Sequence, residues 1–270
     1  MQTTGLKRNP CDKYYTCKET VSTCIDLIKD HIQIHPEDIC IEPSAGNGAF
    51  INDIRSLSNH SLFYDLNPEH NDIIQQDYLQ LTSFPISKNK IHVIGNPPFG
   101  RQSSLAIQFI KTSSAFCDSI SFILPKSFKK NSLQKHFNLL FHLKHSWDIP
   151  SNSFLINDKV YDVPCVFQIW VKETIPRALP NKYIPHKYNF VKKEEPHDIS
   201  FRRVGVYAGK IDRFTEDKSI QSHYFIKFDE ELTDELFEKI SKIVYKNKEN
   251  TVAAKSISKQ ELMEEFNKIT

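Results

Sequence analysis

The chain has 270 residues, of which 39% are hydrophobic and 25% charged, with a formal net charge of +2. That composition suits a soluble globular protein, long enough for one domain of about 180 residues and an extension. No apolar run reaches the roughly 18 residues of a membrane helix, and Met1–Asp12 lacks the apolar core of a signal peptide. The expectation is therefore a cytoplasmic or nuclear protein that is not secreted and has no membrane partner.

Six cysteines (Cys11, Cys17, Cys24, Cys40, Cys117 and Cys165) form no Cys-x-x-Cys pair and match no zinc spacing, so no metal is expected. Most fall on apolar positions, as buried thiols do in a reducing compartment. The small net charge hides an asymmetry. Ser119 to Trp147 contains five lysines and no acid, and residues 171–228 hold twelve Lys/Arg against seven acids. Residues 1–118 carry ten against thirteen, and 229–270 seven against ten. Positive charge is gathered where an acidic polymer would lie, although a solvated helix face also explains lysines.

In chain order, Ile39–Phe50 reads as a short buried strand, a glycine turn at Gly46 and Gly48, and a helix from Ala49 to about Leu57. No third glycine completes a dinucleotide fingerprint and no P-loop lysine follows. Glu42 beside the turn disfavours a phosphate and suits a cationic group such as an α-amine. A second strand, Ser61–Tyr64, ends in Asp65, nineteen residues after Gly46, with Leu66 next. An acid at about that distance holds a ribose diol in Rossmann-like sites. Asp77 follows the apolar Ile73-Ile74 and fits either a strand tip, where it would accept from an adenine amine, or a helix N-cap.

A further apolar run, Ile91-His92-Val93-Ile94, leads through Gly95 into Asn96-Pro97-Pro98-Phe99 and Gly100. Consecutive prolines fix φ and remove two donors, so the turn is stiff. It offers an amide, free carbonyls and an aromatic face, a grip for a planar amine. Pro-Pro can also simply end a strand, with Phe99 in the core. Beyond it, Leu105–Ile110 reads as a helix, Ile120–Pro125 as a strand, and Lys126–Lys130 as the start of another helix. Phe154 or Tyr161 is a candidate second stacking face, with core packing the alternative. Ile175–Pro196 reads as a linker or extended arm, and Phe201–Lys210, with Arg202 and Arg203, as a strand and turn or an exposed hairpin. His223–Phe228 reads as a strand, and Asp229–Thr270 as two amphipathic helices.

Together, Glu42-Pro43-Ser44-Ala45-Gly46-Asn47-Gly48, Asp65, Asp77 and Asn96-Pro97-Pro98-Phe99 resemble the motifs of S-adenosylmethionine-dependent N6-adenine methyltransferases. Lys13-Tyr14-Tyr15-Thr16 looks like that family's N-terminal cofactor motif, and the motif order is similar to its gamma class. Asp162–Trp170 resembles the last antiparallel strand of the family's sheet. The resemblance implies an α/β Rossmann-like seven-stranded sheet over residues 1–175, with 176–270 as a basic extension and C-terminal helices that contribute to substrate recognition. It implies S-adenosylmethionine as cofactor, contacted by Tyr15, Thr16, Glu42, Pro43, Ser44, Ala45, Gly46, Gly48, Asp65, Leu66, Asp77 and Asn96. Asn96, Pro97, Pro98 and Phe99 would form the catalytic turn. Phe99 would stack on the base, and Lys126, Lys129, Lys130, Arg202 and Arg203 would meet the nucleic acid. The expected reaction is methylation of adenine N6 in DNA or RNA, with DNA favoured, and a protein partner or a second copy of the chain remains open. The extension is shorter than the recognition domains of sequence-specific DNA enzymes. Two other readings stand beside this one: glutamine-N5 methylation of a protein, and a non-catalytic module of the same fold that binds nucleic acid.

Overall fold

Seven strands of one mixed sheet carry the larger part of the chain. The computed structural model describes residues 14–81, 88–156 and 159–270. The leader reading of Met1–Asp12, Cys11 within it, and Lys13 of the N-terminal motif lie outside the described residues. The chain divides into two compact units, with the break between Leu179 and Pro180.

In the first unit a short strand β1 (Tyr15–Thr16) is followed by helix α1 (Lys18–His31). Val21, Cys24, Ile25 and Ile28 of α1 are buried at the i, i+3, i+4, i+7 spacing of one helix face. Then come β2 (Ile39–Glu42), α2 (Ile51–Arg55), β3 (His60–Asp65), β4 (Ile74–Gln75) and β5 (Ile91–Gly95). After these lie α3 (Ser104–Ser114), β6 (Ser119–Pro125), α4 (Asn131–Gln134) and β7 (Phe141–Asp148). The unit closes with β8 (Phe154–Ile156), β9 (Lys159–Tyr161) and β10 (Cys165–Lys172).

The sheet order is β4-β3-β2-β5-β6-β10-β7. The first five strands are parallel, and β10 runs antiparallel between β6 and β7. This is an open, doubly wound α/β sheet of the Rossmann-like type. Every residue of β5 and β6 is buried, as continuous apolar strands covered on both faces must be. The core around them joins Val93, Ile120, Phe122, Leu124 and Trp170, with Phe137 stacked on Trp170 at 4.0 Å. A separate three-stranded sheet, β1-β8-β9, pairs the start of the unit with its end.

Several expectations need correction. The helix expected from Ala49 to Leu57 shrinks to the five residues of α2, because the chain turns through Gly48 at φ +84° first. The helix expected from Lys126 is a 3-10 turn, Lys126–Lys129, anchored by one buried residue, Phe128, and α4 after it buries nothing. The lysine-rich stretch contains an unforeseen strand, β7, at the sheet edge, where every residue but Phe141 stays at least part-exposed. The segment read as a linker or extended arm, Ile175–Pro196, holds strand β11 (Tyr188–Val191), whose Tyr188 is buried.

In the second unit, β11 is joined by β12 (Ile199–Arg202), β13 (Ile211–Asp212) and β14 (His223–Phe228) in the antiparallel order β11-β14-β12-β13. Helices α5 (Asp234–Ser241) and α6 (Lys259–Phe266) supply Ile240, Leu262, Met263 and Phe266 to a core shared with Tyr188, Phe201 and Phe228. Thr233 caps α5, and Ser258 with Glu261 forms a capping box on α6, so both helix starts are specified locally. No described helix is long and apolar enough to cross a membrane.

Candidate active site

The carboxyl ends of β2, β3 and β5 meet where the strand order reverses, the place where open α/β sheets leave a crevice. A cavity of about 320 Å³ lies there, within the ~300–1,000 Å³ of small-molecule sites. Its wall is formed by Tyr14–Thr16, Glu42–Asn47, Asp65–Asn67, Gln76–Leu79 and Asn96–Pro98, with Leu105 and Phe109 of α3 at the back. The structure thus brings together every residue expected to contact the cofactor except Gly48, which shapes the turn behind the wall. A Cβ on Gly48 would sit 2.8 Å from Ile51 Cδ1 and 3.2 Å from the His70 ring, in addition to its positive φ.

Glu42 ends β2 and is 2% exposed, and its Oε2 has no hydrogen-bond partner among the described residues. Burial first, and the neighbouring Asp65 carboxylate second, push its pKa well above the ordinary carboxylate range. Its charged form is therefore disfavoured where it stands. A cationic or donor group entering the cavity would supply the missing partner.

Asp65 ends β3. Its Oδ2 accepts from the Gly46 N–H at 2.8 Å and its Oδ1 from the Asn67 N–H at 2.8 Å. One side chain therefore fixes the glycine turn from across the sheet. Each oxygen retains acceptor capacity for a further hydroxyl. Asp77 caps the 3-10 turn Tyr78–Gln80, its Oδ1 accepting from the Leu79 N–H at 3.0 Å, and lines the cavity as well. Asp77 therefore stands two residues beyond β4, as the cap of a short turn that also lines the cavity.

The Asn96 amide is oriented by the N-terminal arm. Its Nδ2 donates to the Tyr14 carbonyl at 3.3 Å and to Thr16 Oγ1 at 3.2 Å. A backbone carbonyl can only accept, so the NH2 must face the arm and Oδ1 is left as an acceptor. The arm is itself anchored: β1 pairs with β8, and the Tyr15 hydroxyl donates to the Glu69 carboxylate at 2.7 and 2.8 Å. Ser44 Oγ donates to the Asn96 carbonyl at 3.3 Å, joining the glycine turn to the Asn-Pro-Pro turn.

Phe99 does not line the cavity. Its ring is largely buried and stacks on Tyr14, with centroids 6.0 Å apart and planes 23° apart. Tyr14 also meets Phe154 edge-on at 6.4 Å and Tyr161 at 5.7 Å. Phe154 is fully buried, which is core packing, while Tyr161 remains part-exposed. Tyr14 is therefore the centre of an aromatic cluster that sequence reasoning did not single out. The adjacent Tyr-Tyr-Thr run was its available signal. Gln76, Leu105 and Phe109 were missed as well, and nothing in their local sequence marks them.

The basic residues do not join the cavity wall. Lys129 bonds Asp148 at 2.8 Å, with Lys126 3.8 Å from the same carboxylate, and Lys144 pairs with Glu173. Asp148 lies just beyond the acid-free stretch and Glu173 further along the chain, so the fold neutralises much of what composition showed as a patch. Lys130 does not line the cavity either. Arg202 and Arg203 belong to the second unit. The Arg203 guanidinium lies 5.5 Å from the Tyr224 ring centroid and donates to the Gln221 carbonyl, so it is occupied within that unit.

No family model and no curated protein matches the chain. Solved structures do. A Pyrococcus horikoshii protein provisionally assigned as an RNA methyltransferase is similar at 16% identity over 64% of this chain and 93% of its own, with a TM-score of 0.49. The 23S rRNA methyltransferase ErmE is similar at 13% identity over 61% of this chain and 71% of its own, with a TM-score of 0.43. The type I restriction-modification system methyltransferase subunit from Streptococcus thermophilus is similar at 12% identity over 60% of this chain, 45% of its own length, with a TM-score of 0.43.

Proposed function

We propose that the chain is an S-adenosylmethionine-dependent methyltransferase that methylates the N6 amine of adenine in DNA or RNA. One observation carries this reading: the Asn96-Pro97-Pro98 turn and the acidic strand tips Glu42 and Asp65 line one cavity. The unpartnered, buried Glu42 Oε2 is the feature of the cavity that fits the cofactor's methionine α-amine. Asp65 would hold the ribose hydroxyls and Asp77 the adenine amine of the cofactor, each through acceptor capacity left over from its backbone bonds. Bound there, S-adenosylmethionine supplies a sulfonium methyl to a nucleophile.

The chain's own residues act on the target amine. Asn96 Oδ1 and the Pro97 carbonyl would each accept a hydrogen bond from one of its two N–H groups, which draws the nitrogen from planar towards tetrahedral and turns its lone pair to the cavity. The bonds from Asn96 Nδ2 to Tyr14 and Thr16 hold that acceptor in place before the substrate arrives, so the contribution is positioning and electrostatic preorganisation. A base buried in a duplex has to leave the stack to reach the turn. It would take the face of Phe99 that Tyr14 covers, with Tyr14 moving aside.

The test is transfer of labelled methyl from S-adenosylmethionine to duplex DNA, single-stranded DNA, structured RNA and a peptide mixture, followed by nucleoside digestion. The expected product is N6-methyladenosine or its deoxy form. Asn96→Ala should abolish transfer and retain cofactor binding, whereas Asp65→Ala should weaken the cofactor itself. Label found only in peptide would replace this reading with glutamine-amide methylation.

A further inference from the structure

The second unit has a concavity of its own. Ser200, Arg202, Lys210, Asp212, Lys218 and His223 line a pocket of about 140 Å³, with Tyr207 at its rim. That volume is below the range that holds a nucleoside-sized ligand, and the lining is cationic. Arg202, Lys210 and Lys218 bring three positive charges. Asp212, 3.9 Å from Lys210 and 3.3 Å from Lys218, returns one, and Asp217, 2.8 Å from Lys218, another.

Arg202 has no carboxylate partner among the described residues. Its Nε donates to the Val204 carbonyl at 3.2 Å, and both terminal nitrogens remain available as a fork. Gly205, at φ +106°, leaves room for it: a Cβ there would stand 3.3 Å from Arg202 Nη2. His223 is 7% exposed, with Nδ1 engaged by the Ser219 carbonyl and Ser222, which leaves Nε2. The rim is aromatic and exposed. Tyr207 is 67% exposed and Phe214 58%, the latter with Lys218 Nζ 5.7 Å from its ring centroid.

A small cationic hollow with a free guanidinium fork, bordered by an exposed aromatic ring, matches the chemistry of a backbone phosphate and an adjoining unstacked base. We infer that the second unit carries a binding site for single-stranded nucleic acid, with a phosphodiester held by Arg202 and Lys210 and a base stacked on Tyr207. A free inorganic anion would explain the hollow but would leave Tyr207 without a role. The inference shares with the proposed function only the class of polymer, and it does not require methyl transfer.

The experiment is fluorescence anisotropy of a labelled single-stranded oligonucleotide with the full chain, across a salt series, for wild type, Arg202→Met and Tyr207→Ala. S-adenosylhomocysteine affinity, measured on each variant, reports that the first unit is intact. Arg202→Met is expected to weaken binding about tenfold at low salt and to reduce the salt slope by about 1. Tyr207→Ala is expected to weaken binding about tenfold with the salt slope unchanged. Wild-type affinity in both variants would overturn the inference. So would displacement of the oligonucleotide by inorganic phosphate at equal phosphate concentration, combined with no effect of Tyr207→Ala. Should methyl transfer never be detected, an Arg202- and Tyr207-dependent affinity would still support this site, so the two readings fail separately.

Discussion

Glu42→Gln is expected to stabilise the ligand-free protein while weakening its cofactor. Glu42 is 2% exposed and its Oε2 lacks a partner, a condition that costs about 1–3 kcal/mol for a buried polar group and more for a charged one. Glutamine keeps the shape and removes the charge, but its amide meets the same shortage of partners, so a net gain of about 1–2 kcal/mol is expected at pH 8. For a unit of this size that raises the melting temperature by roughly 2–8 °C.

The sign of the pH dependence follows from the raised pKa. Between the ordinary value of 4.5 and the raised native value, the native state binds more protons than the unfolded state. Wild-type stability therefore falls as pH rises through that window, and the variant lacks this fall. Its advantage should be absent near pH 4 and grow towards pH 8. In the opposite direction, the bond proposed above between Glu42 and the ligand's amine would be weakened, so affinity for S-adenosylhomocysteine should fall by roughly tenfold to a hundredfold. Calorimetric melts over a pH series and titration calorimetry read the two effects. A variant less stable than wild type at pH 8, or one with unchanged ligand affinity, would refute the reasoning.

Arg177 donates to the carbonyls of Gln134, Phe137, Asn138 and Phe141 and lies over Trp170. Arg177→Met should therefore cost about 2–4 kcal/mol in chemical denaturation. Arg177→Lys should recover less than half of that, since an ammonium cannot span the fork. Gly48→Ala should cost about 1–3 kcal/mol through its positive φ and the crowding against Ile51 and His70, and should weaken S-adenosylhomocysteine binding in the same titration. His92 is buried between Asp38 and Ser119, and burial lowers its pKa despite Asp38. Its contribution is present above the ordinary 6.5 and is lost as pH falls through the lowered native value. Melting temperatures measured from pH 7 to pH 5 should fall less steeply in His92→Gln than in wild type.

The parts of the fold that sequence made legible are those with a local cause. Two glycines after Glu42, an acid after Phe63-Tyr64, and paired prolines after Ile94 each dictate a turn at a strand end, and those turns are the cavity wall. The missed parts depend on distant partners. Phe141–Asp148 carries Lys and His at alternate positions and reads as a charged surface. It becomes a strand because Cys165–Lys172 offers a free edge beside it. Tyr188–Val191 is hidden among prolines and lysines and pairs with a strand that begins 32 residues later, at His223. Tyr14 was quoted with its motif, yet its contacts to Phe99, Phe154 and Tyr161 join residues far apart in the chain.

The pairing of Tyr15–Thr16 with Phe154–Leu155 also bears on the order in which the molecule assembles. Two residues at one end of the unit wait for a strand about 140 positions later, a closure that comes late because long-range contacts bring their reward only after the loop between them is fixed. During synthesis, the glycine turn and the Asn-Pro-Pro turn emerge well before the arm has anything to pair with. A two-residue pairing is also the first to open, so amide exchange at Tyr15 and Thr16 should be faster than anywhere in Ile91–Gly95. The amide of Asn96 is thus held by the last segment to dock and the first to fray. The Asn-Pro-Pro turn is rigid by covalent structure, but its orientation is completed only when the arm returns to it.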